Sequence, residues 1–314
     1  MADTPAHTIE RLEGNARPPS GIASFFSVFR SLARQNSKDE IAHVTKADIS
    51  TPFIRSAEEE TQLVESVRQR ALESGRQSVA DAEHFWVLAA VRARKGDVTR
   101  AEKLLANFIS WRKRIESAAD KQVRLDKTQS QLKSCFMFVS GTTDKAGRPV
   151  LHLKMAKHDP SSFSALDTIR TLSTVLEWTL RTYPAAQTHG MVVLHDMSDI
   201  ALHNLDLRMP GEIQKAFSQS FPVRVASIIL CHPPFFLKHI VGFFSSFMSS
   251  KLKARITTVG KNDKNLLDEL FEPHNILVDL GLGGTAIWTQ ERHLEWVRRI
   301  DNDAKAWPEH TLTY

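Results

Sequence analysis

The chain has 314 residues, of which 42% are hydrophobic and 25% are charged, a composition typical of a globular protein with room for more than one domain. Its formal net charge of +5 is compatible with an anionic membrane surface, but no cluster of basic residues interleaved with aromatic ones indicates nucleic-acid binding. Two cysteines, Cys135 and Cys231, are too few for a disulfide framework or a cysteine-based zinc site, so we expect two buried thiols in a reducing compartment.

Residues 1–55 are predicted to form a poorly ordered arm, because they are polar and carry Pro18, Pro19 and Gly21 in close succession. Acidic residues precede any apolar run in this arm, which argues against a secretory signal, and no later run reaches the ~20 apolar residues of a membrane span. Residues 22–33 have the spacing of a short amphipathic helix that either packs on its own domain or lies on a membrane. We expect the arm to be dispensable for folding and the chain to be cytoplasmic.

Residues 56–125 are predicted to form a small helical bundle. Ser56 and Glu59 have the spacing of a capping box, which marks the start of the first helix. A second helix is predicted at 82–94, and Asp97 then caps a third helix whose apolar residues recur at helical spacing. Three consecutive helices with short connections favour a bundle.

Residues 126–300 change to the pattern of an α/β domain. Short apolar and β-branched runs predict strands at 136–140, 150–155, 191–195, 225–231, 255–259 and 275–280. Helical spacing predicts helices at 163–181, 212–220, 235–248 and 265–271. The first two strands are joined by a turn that contains Gly147, which predicts an antiparallel hairpin within an otherwise alternating fold, and therefore a mixed sheet. Residues 301–314 remain as a C-terminal tail.

Catalytic motifs are missing from the sequence: it contains no nucleophile elbow, P-loop or zincin motif. The glycines of residues 281–284 favour a tight turn over a phosphate loop, since too few residues follow them for a βαβ unit. His195 and Asp196, with His203 and His232, are the best acid–base or metal candidates, but they lack the spacing of a ligand set and are better explained as structural residues. We therefore predict a protein that binds a ligand without catalysis.

The segment after the fourth predicted strand combines an apolar helix with basic residues. Pro233 and Pro234 end that strand because they remove backbone donors. The apolar run that follows is too short to cross a bilayer, yet it is more apolar than a surface helix in water. Lys251, Lys253 and Arg255 come directly after it. The segment is either a buried core helix followed by solvated charges or a helix that meets a lipid surface.

Five blocks of the sequence resemble the CRAL-TRIO lipid-binding proteins, a family that includes transfer proteins for phosphatidylinositol, tocopherol and retinaldehyde. The blocks are 91–98 with Trp111 and Arg112, 144–150, 220–225, 252–260 and 277–284. Each block is short, but their order and spacing are specific, and the resemblance covers roughly residues 57–300. The last block lacks the proline of the family's pattern and has one extra residue before its final glycines.

The resemblance implies a mixed β-sheet floor with covering helices that enclose one apolar cavity, preceded by a small all-α N-terminal bundle. It implies one bound lipid, a phospholipid, sterol or isoprenoid, and no other cofactor and no metal. The positions that correspond to the cavity lining are Ile200, Leu202, Ile213, Ala216, Phe217, Phe221, Val223 and Ile228. The positions that correspond to a movable gate helix are Phe235, Phe236, Ile240, Phe243, Phe244, Phe247 and Met248.

The resemblance is less specific about the lipid head group. Val223 stands where phosphatidylinositol-transferring members carry an acidic residue. One of the two residues that bind the inositol head group in those members is therefore absent here. Arg224, Lys251 and Arg255 match basic positions of the tocopherol and retinaldehyde branch, and Lys253 lies among them. This implies a basic patch that docks reversibly on anionic phospholipid, with phosphoinositides among the candidates. A lipid-sensing scaffold without net transfer remains an alternative, and a hydrolase a more distant one.

Overall fold

The computed structural model describes residues 52–116, 121–206, 208–217, 220–234, 253–260 and 263–307. Nearly all of the predicted arm lies outside these residues. Ahead of the first strand, the described chain forms helices α1 (Ala57–Glu73), α2 (Gln77–Ala80), α3 (His84–Ala93), α4 (Val98–Glu116) and α5 (Lys121–Lys133). None of the helices in the described ranges is long and apolar enough to cross a bilayer.

The starts of the first helices follow from their sequence. Ser56 Oγ accepts a hydrogen bond from the Glu59 N–H, and the Glu59 carboxylate accepts one from the Ser56 N–H, so the predicted capping box is confirmed. Lys95 and Gly96 both have positive φ, which ends α3 as predicted. Helix α5 was not predicted, because its sequence is largely polar and has weak apolar periodicity. It is stabilised instead by packing between two later helices.

A five-stranded mixed sheet follows, and the predicted α/β class is confirmed. Its strands are β1 (Met137–Thr143), β2 (Pro149–Lys154), β3 (Met191–Asp196), β4 (Val225–Cys231) and β5 (Ile256–Val259). The spatial order equals the chain order, with β1 and β2 antiparallel and the remaining pairs parallel. The helices of this region are α6 (Ala165–Thr182), α7 (Pro184–Thr188), α8 (Met209–Phe217), α9 (Lys264–Leu270) and α10 (Gln290–Ala306).

The strand predicted at 275–280 is wrong. These residues form two short 3₁₀ turns, Pro273–Asn275 and Val278–Leu280, and their one pairing is an isolated bridge between Leu277 and Ala286. Leu277 and Leu280 are both buried, three residues apart, which is the spacing of a helical turn rather than the alternation of a strand. The expectation of two buried thiols is also only half right, because Cys231 is buried but Cys135 is partly exposed.

One face of the sheet is covered by the C-terminal part of the chain. Phe138 of β1 lies on this face and stacks on Trp288 at a centroid distance of 5.1 Å, with His293 of α10 edge-on at 5.7 Å. Leu194 and Ile229 share this face through the strand register, and both are fully buried. Helix α10 also packs against α5 and α6. Helix α6, which connects β2 to β3, therefore also contacts the C-terminal part of the chain.

Candidate functional site

One side of β3, β4 and β5 is apolar and, within the part of the chain that the structure describes, only partly buried. In the parallel register, Val193 is the partner of Ile228 and Ile228 is the partner of Ile256, while His195 is the partner of Leu230. Partners in adjacent strands point to the same side, so these five residues form one surface, which we call the open face. Four of them are only partly buried among the described residues, although three of these four lie on β3 and β4 in the interior of the sheet. Central strands of this kind are normally covered on both faces.

A small apolar cluster closes one end of the open face. Met197 and Ile200 pack with Leu230 into a buried group separate from the main core, and Met155 and Leu205 pack against it. Met155 follows the carboxyl end of β2, Met197, Ile200 and Leu205 follow that of β3, and Leu230 is near the carboxyl end of β4. In open sheets with parallel strands, ligands bind in the crevice outside these carboxyl ends. The cluster therefore forms one wall of a candidate binding site.

The connecting helices are expected to form the roof of this site. The parallel strands follow one another across the sheet in chain order, and their crossover connections are right-handed with very few exceptions, so α6 and α8 lie on the same face. Helix α8 packs against α6, and its Ala216 is buried while Ile213 is partly buried against the core. The opposite face already carries the C-terminal residues. An apolar space between the open face and these helices is the arrangement that a lipid site requires.

The predicted lining residues lie in different surroundings. Ile228 lies on the open face and Ile200 in the apolar cluster at its end. Leu202 lies in a short 3₁₀ turn and is 48% exposed. Phe217 ends α8, and its side chain is outside the described part of the structure. The contribution of these residues to a cavity remains a prediction.

Phe221 has a more specific position than the sequence indicates. Its ring is edge-on to Trp86, Phe108 and Trp111, with centroid distances of 6.0, 5.3 and 5.8 Å. It therefore joins the segment before β4 to the N-terminal helices. Val223, two residues later, is partly buried against the same core. The structure thus places Phe221 at the junction of the helical group and the sheet, and whether its ring also borders the cavity remains a prediction.

Sequence reasoning missed most of the open face. Val193, Leu230 and Ile256 were not predicted to line a cavity, although they are in register with Ile228, which was. The alternation of residues in β3 is the signal that could have found Val193 and His195, because side chains two apart in a strand share a face. The choice between the two faces needs the sheet register and the position of the C-terminal residues, and neither can be read from the sequence.

His195 is the one titratable side chain on the open face. It lies between Leu153 of β2 and Leu230 of β4 in the register, and its imidazole makes no hydrogen bond to any described residue. Burial lowers the pKa of His195 to about 4, so the ring is neutral near pH 7. The neighbouring Asp196 points to the opposite face and accepts a hydrogen bond from Ser198 Oγ.

The histidines considered for catalysis are not brought together. His232 Nε2 lies 2.6 Å from the carbonyl oxygen of Leu280, and His203 is exposed in the turn after β3. Within the described ranges, no three His, Cys, Asp or Glu side chains are grouped so that they could hold a metal ion. The arrangement offers an apolar surface with one neutral imidazole rather than a set of acid, base and nucleophile.

Two of the predicted basic residues meet at the amino ends of adjacent strands. Arg224 directly precedes β4, and its guanidinium donates a hydrogen bond to the Thr188 carbonyl. Arg255 directly precedes β5, and its guanidinium donates a hydrogen bond to the Val225 carbonyl. Burial lowers the pKa of both arginines, and their mutual repulsion lowers that of Arg224 further. Lys253 is exposed nearby in sequence.

Other predicted residues cannot be placed. Residues 235–252, which include the whole predicted gate helix and Lys251, lie outside the described residues. The gate and the complete basic patch therefore remain predictions from the sequence.

Comparison with known proteins gives consistent matches. Residues 132–283 match the family model of the CRAL/TRIO domain. The alpha-tocopherol transfer protein-like protein of Mus musculus is 28% identical over 204 residues, which are 64% of this chain and 58% of that protein. Clavesin-2 of Rattus norvegicus is 25% identical over 200 residues, which are 62% of this chain and 61% of that protein. The chain thus spans about three fifths of the length of these relatives.

Solved structures also match this chain. The crystal structure of Sfh5 aligns with a TM-score of 0.49 at 10% sequence identity, over 80% of this chain and 100% of that chain.

Proposed function

Since residues 132–283 are a domain of the CRAL-TRIO family, as the sequence blocks predicted, we propose that the chain binds one hydrophobic lipid above the open face and transfers or presents it between membranes without catalysis. The observation that carries this proposal is the apolar, partly buried surface of Val193, Ile228 and Ile256 on three neighbouring parallel strands. Such a surface requires an apolar cover, and each methylene that a lipid buries contributes about 0.8 kcal/mol. A tail of roughly a dozen methylenes therefore binds with no polar contact at all.

The same proposal assigns the gate to residues 235–248. This segment connects β4 to β5, and the right-handed crossover rule favours the face on which α6 and α8 lie. Its apolar side chains, including Phe243, Phe244 and Phe247, then cover the lipid in water. Exposing them to water costs several kcal/mol at ~25 cal/mol per Å² of apolar area, whereas a bilayer removes most of that cost. Opening is in this way coupled to membrane contact.

Arg224, Lys251, Lys253 and Arg255 are proposed to bind anionic phospholipid head groups, with phosphoinositides among the candidates. The meeting of Arg224 and Arg255 at neighbouring strand ends supports this, as does the buried Nε of Arg255, which has no acceptor among the described residues. An anionic oxygen would satisfy that donor and reduce the repulsion between the guanidinium groups. We accordingly propose a peripheral and reversible association with cytoplasmic membranes.

The first prediction concerns lipid occupancy. We expect native mass spectrometry of the purified protein to find one lipid for each chain. Ile228→Trp should lower the occupancy at least severalfold, because the larger ring fills space above the open face. Leu72→Trp, at a side chain 48% exposed on α1, is the matched control and should leave the occupancy unchanged. A wild-type protein that carries no lipid and takes none up from vesicles would overturn the proposed function.

The second prediction concerns the basic patch. The triple variant Arg224→Gln, Lys251→Gln and Arg255→Gln should transfer a fluorescent lipid from anionic vesicles at least tenfold more slowly, because each of the three basic residues contributes up to ~1 kcal/mol near such a surface. Its vesicle binding should weaken in parallel, while its lipid content stays unchanged.

The control for this prediction carries the same change in charge elsewhere. Arg292, Arg298 and Lys305 on α10, which packs on the other side of the sheet, are replaced by Gln in a second triple variant. Equal transfer rates for the wild type and the first triple variant at low salt would show that the patch is only solvated charge. Vesicle binding without movement of label between two vesicle populations would instead favour the lipid-sensing scaffold.

A further inference from the structure

The open face carries one polar side chain that has no hydrogen-bond partner. Side chains in register on either side of His195 are Leu153 and Leu230, and Val193 precedes it on the same face. The imidazole is partly buried and makes no hydrogen bond to a described residue. A leucine or phenylalanine would suit these neighbours without leaving any polar group unsatisfied.

Three buried histidines elsewhere in the described structure each lie within hydrogen-bond distance of a protein group. His152 Nε2 lies 3.0 Å from Ser140 Oγ, His158 Nδ1 lies 2.8 Å from the Asn204 carbonyl oxygen, and His293 Nε2 lies 2.8 Å from the Leu132 carbonyl oxygen. Each of these buried rings is oriented by a protein group. His195 differs because it makes no hydrogen bond to a described residue and because the register places it on the open face, above which the lipid is proposed to bind.

We propose that His195 hydrogen-bonds to a neutral hydroxyl or carbonyl group of the bound lipid, and so selects a lipid whose buried end carries one such group. This inference rests on the proposed function and adds the ligand class to it. A neutral imidazole has one donor and one acceptor, which match a hydroxyl group, or a carbonyl through the donor alone. The other four open-face residues offer only apolar contact to the remainder of the molecule, and Thr258, in register with Leu230, adds one hydroxyl on the edge strand β5.

The same surroundings disfavour a phosphate at this position. A phosphate group on the open face would need a positive charge beside it, because a buried and unpaired charge is strongly unfavourable. The imidazole does not provide that charge, since burial between Leu153 and Leu230 lowers the pKa of His195 to about 4. The basic residues Arg224 and Arg255 lie at the amino ends of β4 and β5, whereas His195 lies toward the carboxyl end of β3. A diacyl phospholipid is therefore the poorer ligand for this floor.

Three pyrene-labelled lipids test the inference by fluorescence titration of the full chain. They are a long-chain alcohol, the alkane of the same length, and a phosphatidylcholine. Wild-type protein should bind the alcohol about three- to tenfold more tightly than the alkane, the range that one net hydrogen bond provides. His195→Leu should lose this preference and bind the alkane at least as well as the wild type does. His195→Asn should retain part of it.

The matched control is His203→Leu, which removes an exposed histidine from the turn after β3 and should leave the preference unchanged. A His195→Leu variant that binds both lipids with the wild-type preference would overturn the role of His195. Tight binding of phosphatidylcholine, with neither the alcohol nor the alkane bound, would overturn the ligand class and leave the proposed function standing. Binding of none of the three lipids would overturn both.

Discussion

Gly284→Ala is expected to destabilise the protein by about 3 kcal/mol or more, the upper range for inserting a methyl group into a filled space. A Cβ atom at residue 284 would overlap the carbonyl oxygen and carbon of Ile276 and lie 2.6 Å from its Cβ. Ile276 cannot easily move, because its carbonyl accepts a hydrogen bond from the Ala286 N–H at 2.9 Å and its side chain is buried. The clash is with backbone atoms rather than with the end of a flexible side chain.

Gly281→Ala is the control for this prediction. Gly281 has a φ of +65° after a 3₁₀ turn, but a Cβ there would meet nothing within 4 Å. This variant is expected to lose only ~1–2 kcal/mol of free energy of unfolding, the cost of placing a non-glycine residue in the left-handed conformation. The free energy of unfolding is measured for both variants by urea titration. Equal losses for the two variants would show that residue 284 has room for a side chain.

Arg112→Met is the second change with a large expected effect, at about 3 kcal/mol of lost stability, because the buried Glu177 carboxylate loses the charge of Arg112 and keeps that of Arg181. Arg112 Nη1 lies 2.8 Å from Glu177 Oε2, and the Glu177 side chain is 1% exposed. The guanidinium also lies over the rings of Trp86 and Phe108, at 5.5 and 5.6 Å from their centroids. This pair joins α4 of the helical group to α6 of the sheet domain.

An exposed ion pair provides the comparison. Lys305 lies 2.7 Å from Asp301, one turn away on α10, with 46% of its side chain exposed, and Lys305→Met should cost below ~1 kcal/mol. The double variant Arg112→Met with Glu177→Leu removes both buried charges and should recover part of the loss. If Arg112→Met and Lys305→Met unfold at the same urea concentration, the buried pair does not stabilise this junction.

Local signals in the sequence predicted the elements whose stability is itself local. The capping box of Ser56 and Glu59, the glycine turn of the β1–β2 hairpin and the apolar period of α4 were all interpreted correctly, because each depends on residues within a few positions of one another. Helix α5 and residues 275–280 were not. Helix α5 is polar and is stabilised by packing against α6 and α10. Residues 275–280 are an apolar run that is too short for its spacing to distinguish a helical turn from a strand.

The sequence by itself determined the fold class, the family resemblance and the general chemistry of the site, since apolar runs, turns and ordered blocks are properties of the linear chain. Only the tertiary structure decided which side of each strand meets the candidate cavity. A side chain's face depends on strand register and on what covers the opposite side, and both are set by residues far apart in the chain, such as Phe138 with Trp288 and Ile228 with Ile256. For that reason the sequence indicated Phe221 as a site residue but did not predict its aromatic partners. It likewise indicated His195 as a candidate but did not predict that it lies between two leucines on the open face.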